Sequence, residues 1–354
     1  MAGLLGIQFD SVTQDLSQKV FEYQLQQDPK LNDILSDIAK QKMFDDVLIN
    51  INFLDTALKL KDEKLFPEYS CWLFCLMVSR MTYCSKEQVA QQIQGHYEAL
   101  KHVLGEHYGE EDGAFISRQL DKAIESSWQC CLHDKDYRDA KDQGYEQEVE
   151  RYLQYLLDED SNRAIGYLVE LEKGGMEIPE IYVSVVQEAL HRVGDMWLHD
   201  EISVAKELCC TSASQMAEAQ FYAKIFATRR RNRTVIVACA GKEYHEMGAR
   251  TVSDVLSYGG YTCIYLGAAV SNEYILQAMD SYKPHLVCLS ATMPQTLVDC
   301  QTIIPEIKNN DPKVKIAVGG RAFEVTDEIW KKWNIDIYTK NAKELLGWSY
   351  ANIG

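Results

Sequence analysis

Three short clusters carry side chains that could do chemistry together. The first, Gly241-Lys-Glu-Tyr-His-Glu-Met-Gly248, sets a carboxylate two residues before an imidazole and a glycine three residues after it. In an extended loop Glu243 and His245 point the same way, because side chains alternate with period two. A carboxylate that accepts from one ring nitrogen fixes the tautomer and leaves the other nitrogen for a metal. The same pair would also suit a general base, or a buried histidine satisfied by its neighbour. These residues alone leave all three readings open. Gly248 permits close approach of a bulky ligand. The other clusters are Ser290-Ala-Thr292 and Gly319-Gly320.

From Thr234 onward, short apolar runs alternate with helical stretches. The runs are Val235 to Ala240, Tyr261 to Leu266, Leu286 to Leu289, Val314 to Val318 and a weaker Ile335 to Tyr338. Between them fall helical segments over Met247 to Tyr258, Asn272 to Ser281, Leu297 to Lys308 and Val325 to Lys332. This repetition predicts parallel strands with crossover helices in an open, doubly wound sheet. Ligands in such sheets sit outside the carboxyl ends of the strands. All three clusters follow strands, so all three belong to that edge.

Residues 1 to about 230 read as successive helices. Ser85-Lys-Glu-Gln88 has capping-box spacing. Pro179 suits a first helical turn. Tyr182, Val186, Ala189, Leu190, Val193 and Trp197 form one apolar face at helical spacing. Breaks fall at Gly105 to Gly113, Asp134 to Gly144, Asp158 to Asn162 and Gly174-Gly175. The expected fold is α plus α/β, with helices to about residue 230 and a doubly wound, five-stranded parallel sheet over residues 231–354.

A net charge of −17 disfavours broad contact with nucleic acid phosphates and points to protein or small-molecule partners. The basic run Arg229-Arg230-Arg231-Asn232-Arg233 reads as a solvated linker between helix and strand. Eleven irregularly placed cysteines, with no signal sequence before them, imply reduced thiols in the cytosol. Neither Cys130-Cys131 nor Cys209-Cys210 has the separated pairs of a structural zinc site. No apolar run approaches the ~20 residues of a membrane span, so no membrane association is expected.

Glu243-x-His245-x-x-Gly248, Ser290-Ala-Thr292 and Gly319-Gly320 together resemble the cobalamin-binding domain of corrinoid proteins. Tyr261 to Val270 is similar to that family's second strand and following loop, and Lys283 to Ser290 to its third strand. The resemblance covers about 120 residues. It implies a base-off, histidine-on corrinoid with His245 as the cobalt ligand. Glu243 would steady the imidazole, and Thr296 would stand in the hydroxyl relay behind the pair. Ser290 and Thr292 would line the pocket for the dimethylbenzimidazole tail, and Gly319-Gly320 would leave room for its nucleotide end. The family usually has Asp at the position of Glu243, although Glu occurs in its light-sensing branch. Pro294 stands where the family often has a threonine.

Residues 151–230 resemble the four-helix-bundle cap that precedes this Rossmann-like domain, here residues 231–354, in many corrinoid proteins; this leaves residues 1–150 as a helical N-terminal region for sensing or interaction. In light-sensing members a Trp is followed, after nine residues, by Glu-His; here Trp197 is followed by Glu207-Leu208. By that resemblance Trp197, Val204 and Glu207 belong to the upper axial side, over an adenosyl or methyl group. Leu198 and Leu208 replace two histidines of that branch, so its bis-histidine state is not expected. Leu65 to Gly109 is weakly similar to a helical segment in some stand-alone cobalamin sensors. There Cys71, Cys75 and Cys84 could line a site for a second chromophore or haem, against the simpler reading of buried thiols.

The resemblance implies a cytoplasmic cobalamin sensor, possessing no catalytic residue of its own, that responds to light or cofactor exchange. It would signal to a protein partner through its N-terminal helices; a homo-oligomer is compatible with this. A methyl-carrying corrinoid protein that serves methyltransferases is the alternative, and a haem-binding relative of the sensors is a third reading. No substrate barrel of a mutase is visible.

Overall fold

The computed structural model describes residues 9–133 and 144–354. The expected break at Asp134 to Gly144 therefore lies, except for Gly144, outside the described residues. The chain divides into two compact units, Met1–Asp136 with Val325–Asp327, and Tyr137–Glu324 with Glu328–Gly354.

The first unit is helical, with α1 (Ser11–Gln27), α2 (Lys30–Ile34), α3 (Asp37–Leu60), α4 (Leu65–Arg80), α5 (Lys86–His107) and α6 (Glu110–His133). Side-chain caps start three of them. Asp10 accepts from the Thr13 amide, Ser36 from that of Ala39, and Ser85 and Gln88 exchange the two bonds of a capping box. The core is aromatic, with Phe53 stacked on Tyr69 at 3.8 Å and Phe66 tilted against Tyr97 at 5.5 Å. Ser70 of α4 shares a 2.7 Å hydroxyl bond with Ser127 of α6.

Close by in sequence, Cys71 and Cys130 are joined by a disulfide. This corrects the expectation of reduced thiols throughout, and it removes Cys71 from any thiol-lined chromophore site. Packing of α4 on α6 brings together two residues 59 apart in sequence, which no local spacing could reveal.

The second unit begins with α7 (Glu146–Leu157) and α8 (Ser161–Lys173). Next comes α9 (Ile178–Glu180), which runs through a π-helical segment (Ile181–Val186) into α10 (Gln187–Leu198). After it come α11 (Val204–Ala219) and the short α12 (Tyr222–Phe226). Pro179 lies in the first turn of α9, where its missing N–H costs nothing. Four rods thus pack around Tyr152, Leu168, Tyr182, Val186, Val193 and Phe221. Tyr152 and Tyr182 are wholly buried, but their hydroxyls donate to Ser214 Oγ and to the Glu218 carbonyl, so neither is left unsatisfied.

The rest of the unit alternates strand and helix: β1 (Thr234–Ala240), α13 (Met247–Tyr258), β2 (Thr262–Val270), α14 (Asn272–Tyr282), β3 (Leu286–Ser290), α15 (Leu297–Asn310), β4 (Lys315–Gly319), α16 (Arg321–Glu324), β5 (Ile337–Tyr338) and α17 (Ala342–Asn352). The five strands are parallel in the order β2-β1-β3-β4-β5. β1 is an interior strand, buried along nearly its whole length, as expected of a parallel sheet covered on both faces. The helix expected over Val325 to Lys332 is reduced to a 3-10 turn at Ile329–Lys332, and α16 ends before it at Glu324. Glu328, with φ of 46°, sits in the left-handed region between them and breaks the helical path.

The basic run is exposed from Arg229 to Asn232, and its arginines also bond back to the fold. Arg230 donates to the Tyr261 carbonyl, Arg231 to that of Gly259, and Arg233 to those of Ile353 and Gly354. Arg231 also lies 4.3 Å over the Tyr350 ring. These arginines bind the entry of β1 to the end of α17. Among the described residues no helix is long and apolar enough to cross a membrane.

Closing a loop of this length by a disulfide stabilises a chain by on the order of 3–4 kcal/mol. Alkylation of the unfolded, unreduced protein should label nine of the eleven cysteines, and all eleven after reduction. Cys71→Ser should lower the melting temperature of the unreduced protein to that of the reduced wild type. Eleven labelled thiols without reductant would remove the cross-link.

Candidate functional site

β1 and β3 lie side by side, and the chain leaves them towards opposite edges of the sheet. Their carboxyl ends therefore open a crevice at the switch point of the strand order. The loop after β1 turns at Gly241, whose φ is 62°. A Cβ there would fall 1.9 Å from Asp299 Oδ2, so only glycine fits.

Two residues on, Glu243 is fully buried. Its Oε1 accepts from the His245 amide at 2.9 Å and lies 2.6 Å from His245 Nδ1. Its Oε2 accepts from the amides of Thr292 and Met293, each at 2.7 Å, and from Thr296 Oγ1 at 3.3 Å. Burial pushes the Glu243 carboxyl up, but the bonds from His245 and the backbone amides outweigh it and leave the group below its usual range. The hydrogen bond to Glu243 raises His245 above the ordinary imidazole value, against the effect of burial. With Glu243 ionised, Nδ1 carries the proton and Nε2 is the nitrogen left for a ligand.

The imidazole remains 56% exposed while its acid partner is sealed. A Cβ on Gly248 would meet nothing within 4 Å, so this position borders open space. Among the described residues no three His, Cys, Asp or Glu gather to hold a metal ion. A metal on His245 would therefore bring most of its own ligands, as one held in a macrocycle does. The exposed ring, the fixed tautomer and the clear space at Gly248 fit such a group.

The other candidates fall into three sets. Thr292 and Thr296 belong to the Glu243 shell, Thr292 through its backbone amide. Ser290 ends β3, in register with Cys239 of β1 and Gly319 of β4. At Gly319 and Gly320 the space beside Cα is already taken by protein. A Cβ would lie 3.0 Å from the Thr339 carbonyl and 2.3 Å from that of Ala291, and Gly320 has φ of 101°.

On the helical side, Val204 opens α11 behind the Ser203 cap, half-buried, and Trp197 lies half-buried near the end of α10. Burial raises the Glu207 carboxyl, and His245 opposes that rise; Glu207 in turn favours the proton on His245. Leu198 is buried, Leu208 is 58% exposed, and His199 Nδ1 is 2.7 Å from the Asp195 carbonyl.

Sequence reasoning missed Met293, whose role is carried by a backbone amide that leaves no trace in residue type. It also missed a polar junction between α11 and the sheet domain. Glu246 accepts from Tyr265 Oη at 2.9 Å, from Arg250 at 3.3 Å and from Gln215 of α11 at 3.4 Å. The signal was present, because Glu246 and Arg250 stand four apart on one helical face. Nearby, Glu218 of α11 and Asp254 of α13 are buried, and neither Glu218 oxygen has a hydrogen-bond partner. Burial raises both; Asp254 is pushed to about 7, with Arg250 opposing.

Residues 233–344 match a family model described as B12 binding domain, and residues 148–220 match a second model with the same description. The methanol–corrinoid protein of Methanosarcina barkeri is 27% identical over 149 residues, 42% of this chain and 57% of its own. The HTH-type transcriptional repressor CarH of Myxococcus xanthus is 25% identical over 156 residues, 44% of this chain and 51% of its own. The chain thus spans about half the length of the curated relatives it matches. The solved monomethylamine corrinoid protein of Methanosarcina barkeri superposes with a TM-score of 0.52 at 18% identity, over 58% of this chain and 99% of that one. That likeness concerns the fold.

The buried acids give the stability a pH dependence. Asp254 has a folded value of about 7 against an ordinary 3.8, so its carboxyl costs nothing below about 4 and destabilises progressively as pH rises to 7. Asp254→Asn should therefore gain stability over the wild type at pH 8 but not at pH 4, measured by denaturant unfolding. An equal effect at both pH values would show that Asp254 ionises normally.

Proposed function

Because the chain belongs to the cobalamin-binding proteins through its two B12-binding domains, we propose that it is a sensor that holds an alkylcobalamin between helical cap and sheet. The cofactor sits base-off, with His245 as the lower ligand, and the protein passes its state to a partner protein. The cofactor supplies a cobalt–carbon bond that light or a methyl acceptor can break.

Glu243 holds His245 in one tautomer and presents Nε2. Gly248 leaves the room beside it, and Ser290 and Thr292 line the tail pocket. Trp197, Val204 and Glu207 cover the opposite side. There an indole can pack on a flat ring and a carboxylate can bind ribose hydroxyls. The observation that carries this reading is the exposed His245 ring, held in one tautomer by the fully buried Glu243 at 2.6 Å on the strand edge of a B12 binding domain. The separate helical unit before the cap gives the sensor a surface for its partner, and the resemblance to an HTH-type transcriptional repressor supports regulation.

A corrinoid methyl carrier is the second reading, supported by the similarity to the methanol–corrinoid protein. The same His245 chemistry serves it, with the cap moving aside for a methyltransferase.

Reconstitution with adenosyl- and methylcobalamin, followed in darkness and under green light, separates them. A sensor should convert irreversibly under light and change its size or partner binding. A dark-stable methyl form that a corrinoid methyltransferase loads and unloads would replace this reading with the carrier. In either case His245→Ala should abolish the histidine-on spectrum; an unchanged spectrum would remove His245 as the ligand.

A further inference from the structure

Resting on His245 as the lower ligand, we propose that Glu246 is a positioning residue through which the cap sets the His245 loop, with Gln215 as the cap's contact. Glu246 follows His245 directly and is the N-cap residue of α13. Its carboxylate collects donors from three elements: Gln215 of α11, Tyr265 of β2 and Arg250 of α13. Arg250 extends the group to the cap a second time, through Tyr222 of α12 at 3.4 Å, and its guanidinium lies 5.1 Å over the Tyr265 ring.

Gln215 lies eight residues after Glu207 on the same helix, an angular separation of about 80°. One rigid rod therefore carries both a contact for the upper side of the slot and a contact for the residue beside the lower-side histidine. His245 itself is fixed on its other flank by Glu243. Its carbonyl accepts from the Cys239 thiol, a weak donor, at 3.8 Å.

A shift of α11 withdraws the Gln215 amide from Glu246, and a shift of α12 releases Arg250 from Tyr222. The residue after the imidazole is then held from the sheet domain alone, by Tyr265 and Arg250. Coupling thus passes through protein atoms, alongside any path through a bound cofactor. A contiguous contact chain becomes an energetic path only when its members prove non-additive.

The test uses Gln215→Ala, Glu246→Gln and the double variant in the full chain. Without cofactor, hydrogen exchange of the segment 241–249 is measured. Gln215→Ala should accelerate it by between about 2- and 30-fold, and the double variant should exceed Glu246→Gln by little. With cob(II)alamin and protein labelled with 15N-histidine, the share of two-line axial-nitrogen splitting in the electron paramagnetic resonance spectrum gives the histidine-on fraction. The on/off ratio should fall over the same range and with the same non-additivity.

Unchanged exchange in Gln215→Ala, or strictly additive effects, overturns the coupling. A wild type without the two-line splitting overturns the lower-ligand reading instead, and the exchange data still decide whether the cap sets the loop.

Discussion

A carboxylate with no access to water must find every partner inside the protein, and Glu243 finds five donors. Two come from His245, two from the backbone after β3, and one from the Thr296 hydroxyl. This convergence joins the loop after β1 to the loop after β3 across the switch point. It also fixes which ring nitrogen of His245 is left for a ligand. The sealed acid and the exposed base are two halves of one arrangement, because a carboxylate open to water would hold the imidazole far less firmly.

The sheet supplies the frame for that arrangement, and the cap supplies its counterpart. A parallel sheet in the order β2-β1-β3-β4-β5 needs the loops after β1 and β3 to diverge, so a crevice exists before any side chain is chosen. α11 then brings Glu207 into electrostatic reach of His245, while Gln215 touches Glu246 and Glu218 is buried near Asp254. This helix carries much of the polar contact between cap and sheet domain. It does so at a cost in buried, unpartnered carboxylate oxygens that tight apolar packing alone would not incur.

Much of this architecture was legible in the sequence. β1 and β3 were readable because wholly buried parallel strands leave unbroken apolar runs, and α13 because its start and stop are sharp. The pairing of Glu243 with His245 was readable because alternation in an extended loop is local geometry. Long-range contacts were not: Cys71 and Cys130 are related only through helix packing, and the arginines after α12 find carbonyls up to 121 residues away. Backbone donors such as the Met293 amide have no residue signature at all. The segment from Val325 to Lys332 has helical composition, yet a left-handed Glu328 interrupts it. Propensity is a weak prior where tertiary context decides.

The π-helical segment at Ile181–Val186 has a consequence for the far end of its rod. Such a segment amounts to one extra residue wound into an otherwise regular spiral. Everything after it is therefore phased by about 100° relative to an uninterrupted α-helix. Trp197 lies about three turns further on, so the bearing of its indole is set by this insertion as much as by its own position. A lineage that lost a single residue there would keep the hydrophobic seam of one half and swing the tryptophan out of register with it, retuning the cap without touching any side chain in it.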